Sequence, residues 1–182
     1  VRIVGGKWAG RHLTSPGKRV RATAEEVRVA WISLLESELK GARVLELFAG
    51  SGAVGLEALS RGAGSVDFVE SGAQSLHALK ANVAALRAHD LTRIFKKDAI
   101  PFLERLVDQR PGEILYDLVL ADPPYHSRAL DRIISFWKEH PFASVLSVEH
   151  HADHLLPRGG KKTVLAETIC VTTYRGRKPP LP

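Results

Sequence analysis

The chain has 182 residues, 45% of them hydrophobic and 25% charged, with a formal net charge of +6. That length suits one compact domain with its own core, and without a run of 18 apolar residues a membrane-spanning helix is excluded. A lone cysteine, Cys170, excludes an internal disulfide and a cysteine-based metal site, and it points to a reducing, cytoplasmic setting. No basic-then-apolar opening marks a secretory signal, and the missing Met at position 1 points to a lost initiator or a non-standard start codon.

The charge is segregated. Residues 1–21 hold six basic side chains (Arg2, Lys7, Arg11, Lys18, Arg19 and Arg21) and no acid. Residues 158–182 hold six more and one acid, Glu167, so the middle of the chain is acidic. A basic arm with Trp8 and His12 interleaved suits a polyanion, with a solvated tail as the alternative. Gly5-Gly6, Gly10 and Pro16-Gly17 punctuate short runs at 2–4 and 11–14, which predicts a small N-terminal β-hairpin. The boundary with the main domain, 22–182, falls near residue 21.

Thr23 and Glu26 form a T-x-x-E capping box, so a helix is expected from Thr23 to Gly41. Its apolar side is Val27, Trp31, Leu34 and Leu35. From there the chain alternates. Strands are expected at 43–48 (RVLELF), 65–70 (SVDFVE), 93–97, 116–121 (YDLVLA) and 145–149. Helices are expected at 54–61, 100–107 and 128–138, and after Ser71 and Gln74, a capping pair for a helix carrying Leu76, Leu79, Val83 and Leu86. Residues 162–166 and 169–174 read as a closing antiparallel hairpin. Strands apolar on both faces, alternating with helices, predict an α/β fold with a parallel sheet covered by helices. Trp31, Trp137 and Cys170 are assigned to the core.

The stretch ELFAGSGAVGLEAL sets Gly50, Gly52 and Gly55 in a G-x-G-x-x-G spacing between a strand and a helix. Glycines there let the backbone approach a ligand, and the helix N-terminus offers N–H groups. Glu70, 20 residues after Gly50, ends the next strand, where a carboxylate can take two ribose hydroxyls. Both NAD and S-adenosylmethionine fit that pattern. Glu46, inside the first strand, would repel a pyrophosphate and attract the ammonium of a methionine moiety. Asp98 closes the third strand, placed to accept from an adenine amine or to cap the following helix.

The fourth strand runs into Asp122-Pro123-Pro124-Tyr125. Two prolines stiffen the turn and remove two donors, leaving an acceptor-rich corner. Such a corner suits an exocyclic base amine. The Asp122 carboxylate and the Pro123 carbonyl each accept one N–H, and Tyr125 stacks on the base. The amine lone pair is then aimed at a methyl donor without a strong base.

DPPY with ELFAGSG is the signature pair of S-adenosylmethionine-dependent amino-group methyltransferases. With RIVGGKWAGRHL, RATAEEVR, FVE, LKANVAAL and LVLADPPY, the chain resembles the RsmD family, bacterial 16S ribosomal RNA guanine-N2 methyltransferases. The resemblance runs in order from residue 2 to about 125, and more loosely to Tyr174. It implies a class I methyltransferase with a Rossmann-like seven-stranded sheet, S-adenosyl-L-methionine as cofactor, and 16S rRNA, within a small-subunit assembly particle, as partner. From the residues themselves no membrane, metal or protein partner is expected, and nothing demands more than a monomer. By position, Glu46, Phe48, Ala49, Gly50, Ser51 and Gly52 line the cofactor, Glu70 and Ser71 its ribose, and Asp98 with Ala99 its adenine. Asp122, Pro123 and Tyr125 hold the target guanine, with Asp122 also beside the cofactor. Arg2, Lys7, Trp8, Arg11, Lys18, Arg19, Arg21, Thr23 and Arg28 are the RNA-binding set. Against the family's R-P-T-x-x-R-V-R segment the chain has Ala22 for Pro, Glu25-Glu26 for Asp-Arg and Val29 for Glu. The rivals are a DNA adenine-N6 or cytosine-N4 methyltransferase, a non-catalytic RNA-binding assembly factor and an NAD-dependent oxidoreductase. The run EHHADH at 149–154 is read as solvent-exposed histidines near the base pocket rather than a metal site.

Overall fold

The structure, a computed structural model, describes residues 1–17, 24–124 and 127–176. Seven strands form one sheet in the order β3-β2-β1-β4-β5-β7-β6. The strands β1 (Arg43–Leu47), β2 (Ser65–Glu70), β3 (Thr92–Lys96), β4 (Tyr116–Ala121) and β5 (Ala143–His151) are parallel. The last two, β6 (Lys161–Ala166) and β7 (Ile169–Arg175), are antiparallel, with β7 inserted between β5 and β6. Helices α1 (Glu25–Leu34), α2 (Glu36–Leu39), α3 (Ala53–Ser60), α4 (Ala73–Ala85), α5 (Ala99–Gln109) and α6 (Ala129–Glu139) cover it.

The pleat divides the strand side chains between two core layers. Val44, Val66, Phe68, Leu118 and Leu120 pack under Trp31, Ile32, Leu56, Leu59 and Leu79 of α1, α3 and α4. On the opposite face Leu45, Leu47, Val119 and Leu146 meet Leu103, Ile133, Ile134 and Trp137 of α5 and α6. Cys170 is buried, as expected of a core residue. Among the described residues no helix is long and apolar enough to cross a membrane.

Four local expectations need correction. The N-terminal hairpin is a single antiparallel bridge, Arg2 to His12, with a 3-10 turn at Gly6–Trp8 between its arms. Ile3 N–H to the Arg11 carbonyl (2.9 Å) and Leu13 N–H to the Val1 carbonyl (2.8 Å) hold the bridge, while Val4 and Gly5 donate to the Glu57 carboxylate and Trp8 to Ser60 Oγ, both on α3. The first helix has Ala24 as its N-cap, without a side-chain cap, while Thr23 lies outside the described residues. It breaks at Leu35, which leaves Leu34 exposed. The cap of α4 is Gly72 rather than Ser71, because the Glu70 carboxylate takes the Gly72 N–H at 2.7 Å. Finally, β5 runs on to His151, since β7 pairs with Glu149, His150 and His151.

Candidate active site

The crevice at the C-terminal edge of β1 begins with an alternation of left-handed residues: Phe48 (φ +57), Gly50 (φ +56) and Gly52 (φ +75). Glycine adopts this region freely; phenylalanine does so at a cost of about 1–3 kcal/mol, a kind of strain typical of functional loops. The loop is pinned by Ala49 N–H to the Val69 carbonyl (3.1 Å), Gly50 N–H to Glu70 Oε2 (2.8 Å) and Gly52 N–H to the Ala49 carbonyl (2.7 Å). Gly55 has a packing reason: a Cβ there would lie 2.5 Å from Glu46 Oε2 and 2.7 Å from the Phe68 ring. Its absence lets α3 settle onto β1 and β2.

Glu70 joins the loops after β1 and β2, because its two oxygens accept from Gly50 and from Gly72. Each carboxylate oxygen has a second lone pair, so ribose hydroxyls can add to these contacts. Beside it a cavity of about 150 Å³ is lined by Phe48, Glu70, Ser71, Asp98, Ala99 and Ile100. Asp98 is the N-cap residue of α5, yet its exposed side chain makes no capping bond. Its carboxylate is therefore not committed to its own helix. Ala49, Gly50, Ser51 and Gly52 form the loop running from β1 into α3, and the Ser51 carbonyl is held by Asn82 Nδ2 at 3.0 Å.

Glu46 is buried, and one oxygen accepts the Gly55 N–H at 2.9 Å. Burial pushes its carboxyl up to about 8; the Gly55 bond opposes this, while Asp122 and Glu70 add to it. At neutral pH the group is mostly protonated, and a cation placed against it would draw that proton off.

After β4, Asp122 is half-buried, Pro123 buried and Pro124 exposed. The Pro124 carbonyl accepts the Ser127 N–H at 3.3 Å. Tyr125 lies outside the described residues. A second cavity, of about 460 Å³, is lined by Pro123, Pro124, Arg128, Glu149, His150 and His154. The histidines differ from expectation. His150 is buried, with Nε2 2.8 Å from Thr172 Oγ1 and Nδ1 2.9 Å from the His151 carbonyl. Burial lowers its pKa, so it is a neutral part of the sheet edge. His154 pairs with Asp131 at 3.1 Å. Among the described residues no group of three or more His, Cys, Asp or Glu is placed to hold a metal ion.

The expected RNA-binding set divides. Arg2, Lys7 and Arg11 are exposed; Arg2 pairs with Glu25 at 3.2 Å and Lys7 lies 4.2 Å over the Trp8 ring. Trp8 itself is half-buried against the first core layer. Lys18, Arg19, Arg21 and Thr23 lie outside the described residues. Arg28 is a correction: its side chain is fully buried, donates to the Arg2 carbonyl and faces Glu57 at 3.6 Å, which leaves nothing for RNA to touch. Sequence reasoning missed Glu57, the acid that receives this arm. Its signal was a lone charge inside the otherwise apolar helix AVGLEALS.

The strand order, the glycine loop after β1 and the acid ending β2 together define a class I methyltransferase fold. The sequence matches the family described as Conserved hypothetical protein 95 over residues 1–167, and the chain belongs to that family. It is 32% identical over 163 residues to Ribosomal RNA small subunit methyltransferase D of Escherichia coli (strain K12), covering 86% of this chain and 78% of that protein. The protein of the same name from Haemophilus influenzae is 30% identical over 181 residues, 96% of this chain and 92% of that one. Among solved structures, putative methyltransferase yhhF from Escherichia coli has a TM-score of 0.80 at 29% identity, covering 96% of this chain and 97% of that one. An S-adenosylmethionine-dependent methyltransferase from Agrobacterium tumefaciens, at TM-score 0.65 and 19% identity, covers 84% of this chain and 63% of that one and shares the fold.

Proposed function

We propose that this chain transfers a methyl group from S-adenosyl-L-methionine to the exocyclic N2 amine of one guanine in 16S ribosomal RNA. The observation that carries the reading is the adjacency of two corners. Glu46 and Leu120 are register partners on β1 and β4, so the glycine loop and Asp122-Pro123 leave neighbouring strand ends. The names of the relatives support an rRNA methyltransferase.

The residues present fit the cofactor. The cavity bordered by Phe48 and Ile100 suits a flat adenine, with Asp98 to accept from its amine and the Glu70 carboxylate at ribose height. Glu46, next to the loop, suits an ammonium. When bound, the cofactor supplies an electrophilic methyl on a sulfonium that leaves as a neutral thioether. The chain's own part is positioning and electrostatics. Asp122 and the Pro123 carbonyl accept the two amine hydrogens, which fixes the nitrogen and turns its lone pair toward the crevice. As positive charge develops on that nitrogen, the Asp122 carboxylate stabilises it, and the surplus proton leaves through Asp122 or water. Tyr125 stacks on the base. The basic arm, residues 1–21, grips the RNA through Lys7, Arg11 and their neighbours, beside the methyltransferase domain of residues 22–182. The protein acts as a cytoplasmic monomer on a small-subunit assembly particle.

The test is mass mapping of 16S rRNA from cells with and without this gene, the deletion being complemented by wild type or by Asp122→Ala. One N2-methylguanine disappears on deletion and returns only with the wild type. An unchanged methylation map, or full rescue by Asp122→Ala, refutes the proposal.

A further inference from the structure

Trp31 Nε1 donates to Ser147 Oγ at 2.8 Å, so Ser147 on β5 faces α1. Ser147 is the register partner of Leu120 on β4. Side chains return to the same face every second residue, so the same register carried one residue past the end of β4 sets Asp122 opposite Glu149. Neighbouring strands lie about 4.8 Å apart, which sets these two positions side by side at the C-terminal edge of the sheet. Glu149 is 1% exposed. It lines the 460 Å³ cavity that Pro123 and Pro124 border.

We infer that Glu149 is a specificity-determining residue that accepts the N1–H of the target base and so selects guanine. The inference rests on the reading of Asp122-Pro123 as the acceptor corner. That corner alone would take any exocyclic base amine, because an amine offers the same two hydrogens on guanine, adenine and cytosine. What differs is the neighbouring ring nitrogen. Guanine carries a hydrogen on N1 beside its amine, whereas adenine N1 and cytosine N3 are bare acceptors. A carboxylate next to Asp122 accepts from the first and sets lone pair against lone pair with the others. A buried polar group left in that state discriminates strongly, since neither partner recovers the hydration it lost. His150, with both ring nitrogens engaged, stiffens the strand end that presents Glu149.

The test uses the full chain, radiolabelled S-adenosylmethionine and small-subunit assembly particles from cells lacking this gene, with the methylated nucleosides of their 16S rRNA resolved by mass. Wild type gives N2-methylguanosine. Glu149→Gln offers an amide N–H suited to adenine N1, so N2-methylguanosine falls at least about tenfold and N6-methyladenosine appears. Glu149→Asp keeps the charge and keeps guanine as the sole product at a reduced rate. A Glu149→Gln protein with wild-type rate and product overturns the inference. So does parallel loss of product in both variants without N6-methyladenosine, which would make Glu149 a support of the fold. Wild type that methylates adenine instead of guanine would overturn the proposed function, a failure distinct from either of these.

Discussion

Replacing Glu57 by glutamine tests how the basic arm is fastened to the catalytic domain. The Glu57 carboxylate is fully buried and accepts from Val4 N–H (2.9 Å), Gly5 N–H (2.8 Å) and Arg61 Nε (2.9 Å), with Arg28 Nε 3.6 Å away. Glutamine keeps the shape, removes the charge and turns one acceptor into a donor facing a donor. Arg28 is then a buried cation without its nearest counter-charge. Breaking a buried pair from one side costs about 3–5 kcal/mol. At this chain length each kcal/mol lowers Tm by about 2–4 °C, so Tm falls by roughly 6–20 °C. Arg28→Met is milder, because Glu57 keeps Arg61 and two backbone donors. The assay is thermal unfolding followed by circular dichroism, with limited proteolysis to read whether residues 1–17 loosen first. A shift below about 2 °C for Glu57→Gln, or a larger one for Arg28→Met, refutes the reasoning.

Other outcomes follow from the same geometry. Glu46 titrates near 4.5 when unfolded and near 8 when folded, so its burial disfavours folding increasingly as pH rises from 4.5 to 8 and by a constant amount above that. Glu46→Gln removes this dependence, and its Tm gain over wild type grows across that window; a gain independent of pH contradicts the assignment. Binding of S-adenosylmethionine at pH 7 releases a proton from Glu46, read as buffer-dependent heat in calorimetry and absent in Glu46→Gln. In Gly55→Ala the new methyl meets Glu46 Oε2 at 2.5 Å, so stability falls by about 1–3 kcal/mol and cofactor affinity falls with it. Lys7→Ala lowers the slope of log RNA affinity against log salt by about 1 and leaves Tm unchanged, since the side chain is exposed.

The sheet was legible because its inner parallel strands, β1, β2, β4 and β5, are buried on both faces and are dominated by apolar residues, as in YDLVLA. The glycine spacing and its acid were legible for a similar reason: Gly50 and Gly52 need left-handed backbone that other residues resist. Helix starts were not. Ser71 stands in a good capping sequence, but tertiary partners decide, and at α4 the Glu70 carboxylate holds the Gly72 N–H instead. Arg28 was misread because charge is normally a surface property, and its buried partner Glu57 lies 29 residues away in sequence. The hairpin is cut short for the same reason: past Ile3 the donors of Val4, Gly5 and Trp8 go to Glu57 and Ser60. His150 looked exposed within a polar run, but pairing with β7 carries the strand past it.

The most direct measurement is a crystal of this protein soaked with S-adenosylmethionine. The nucleoside should lie in the crevice of the 48–52 loop, its ribose on Glu70, its adenine edge on Asp98 and its methyl toward Asp122. Density elsewhere, or a crevice left vacant at saturating ligand, would contradict the account.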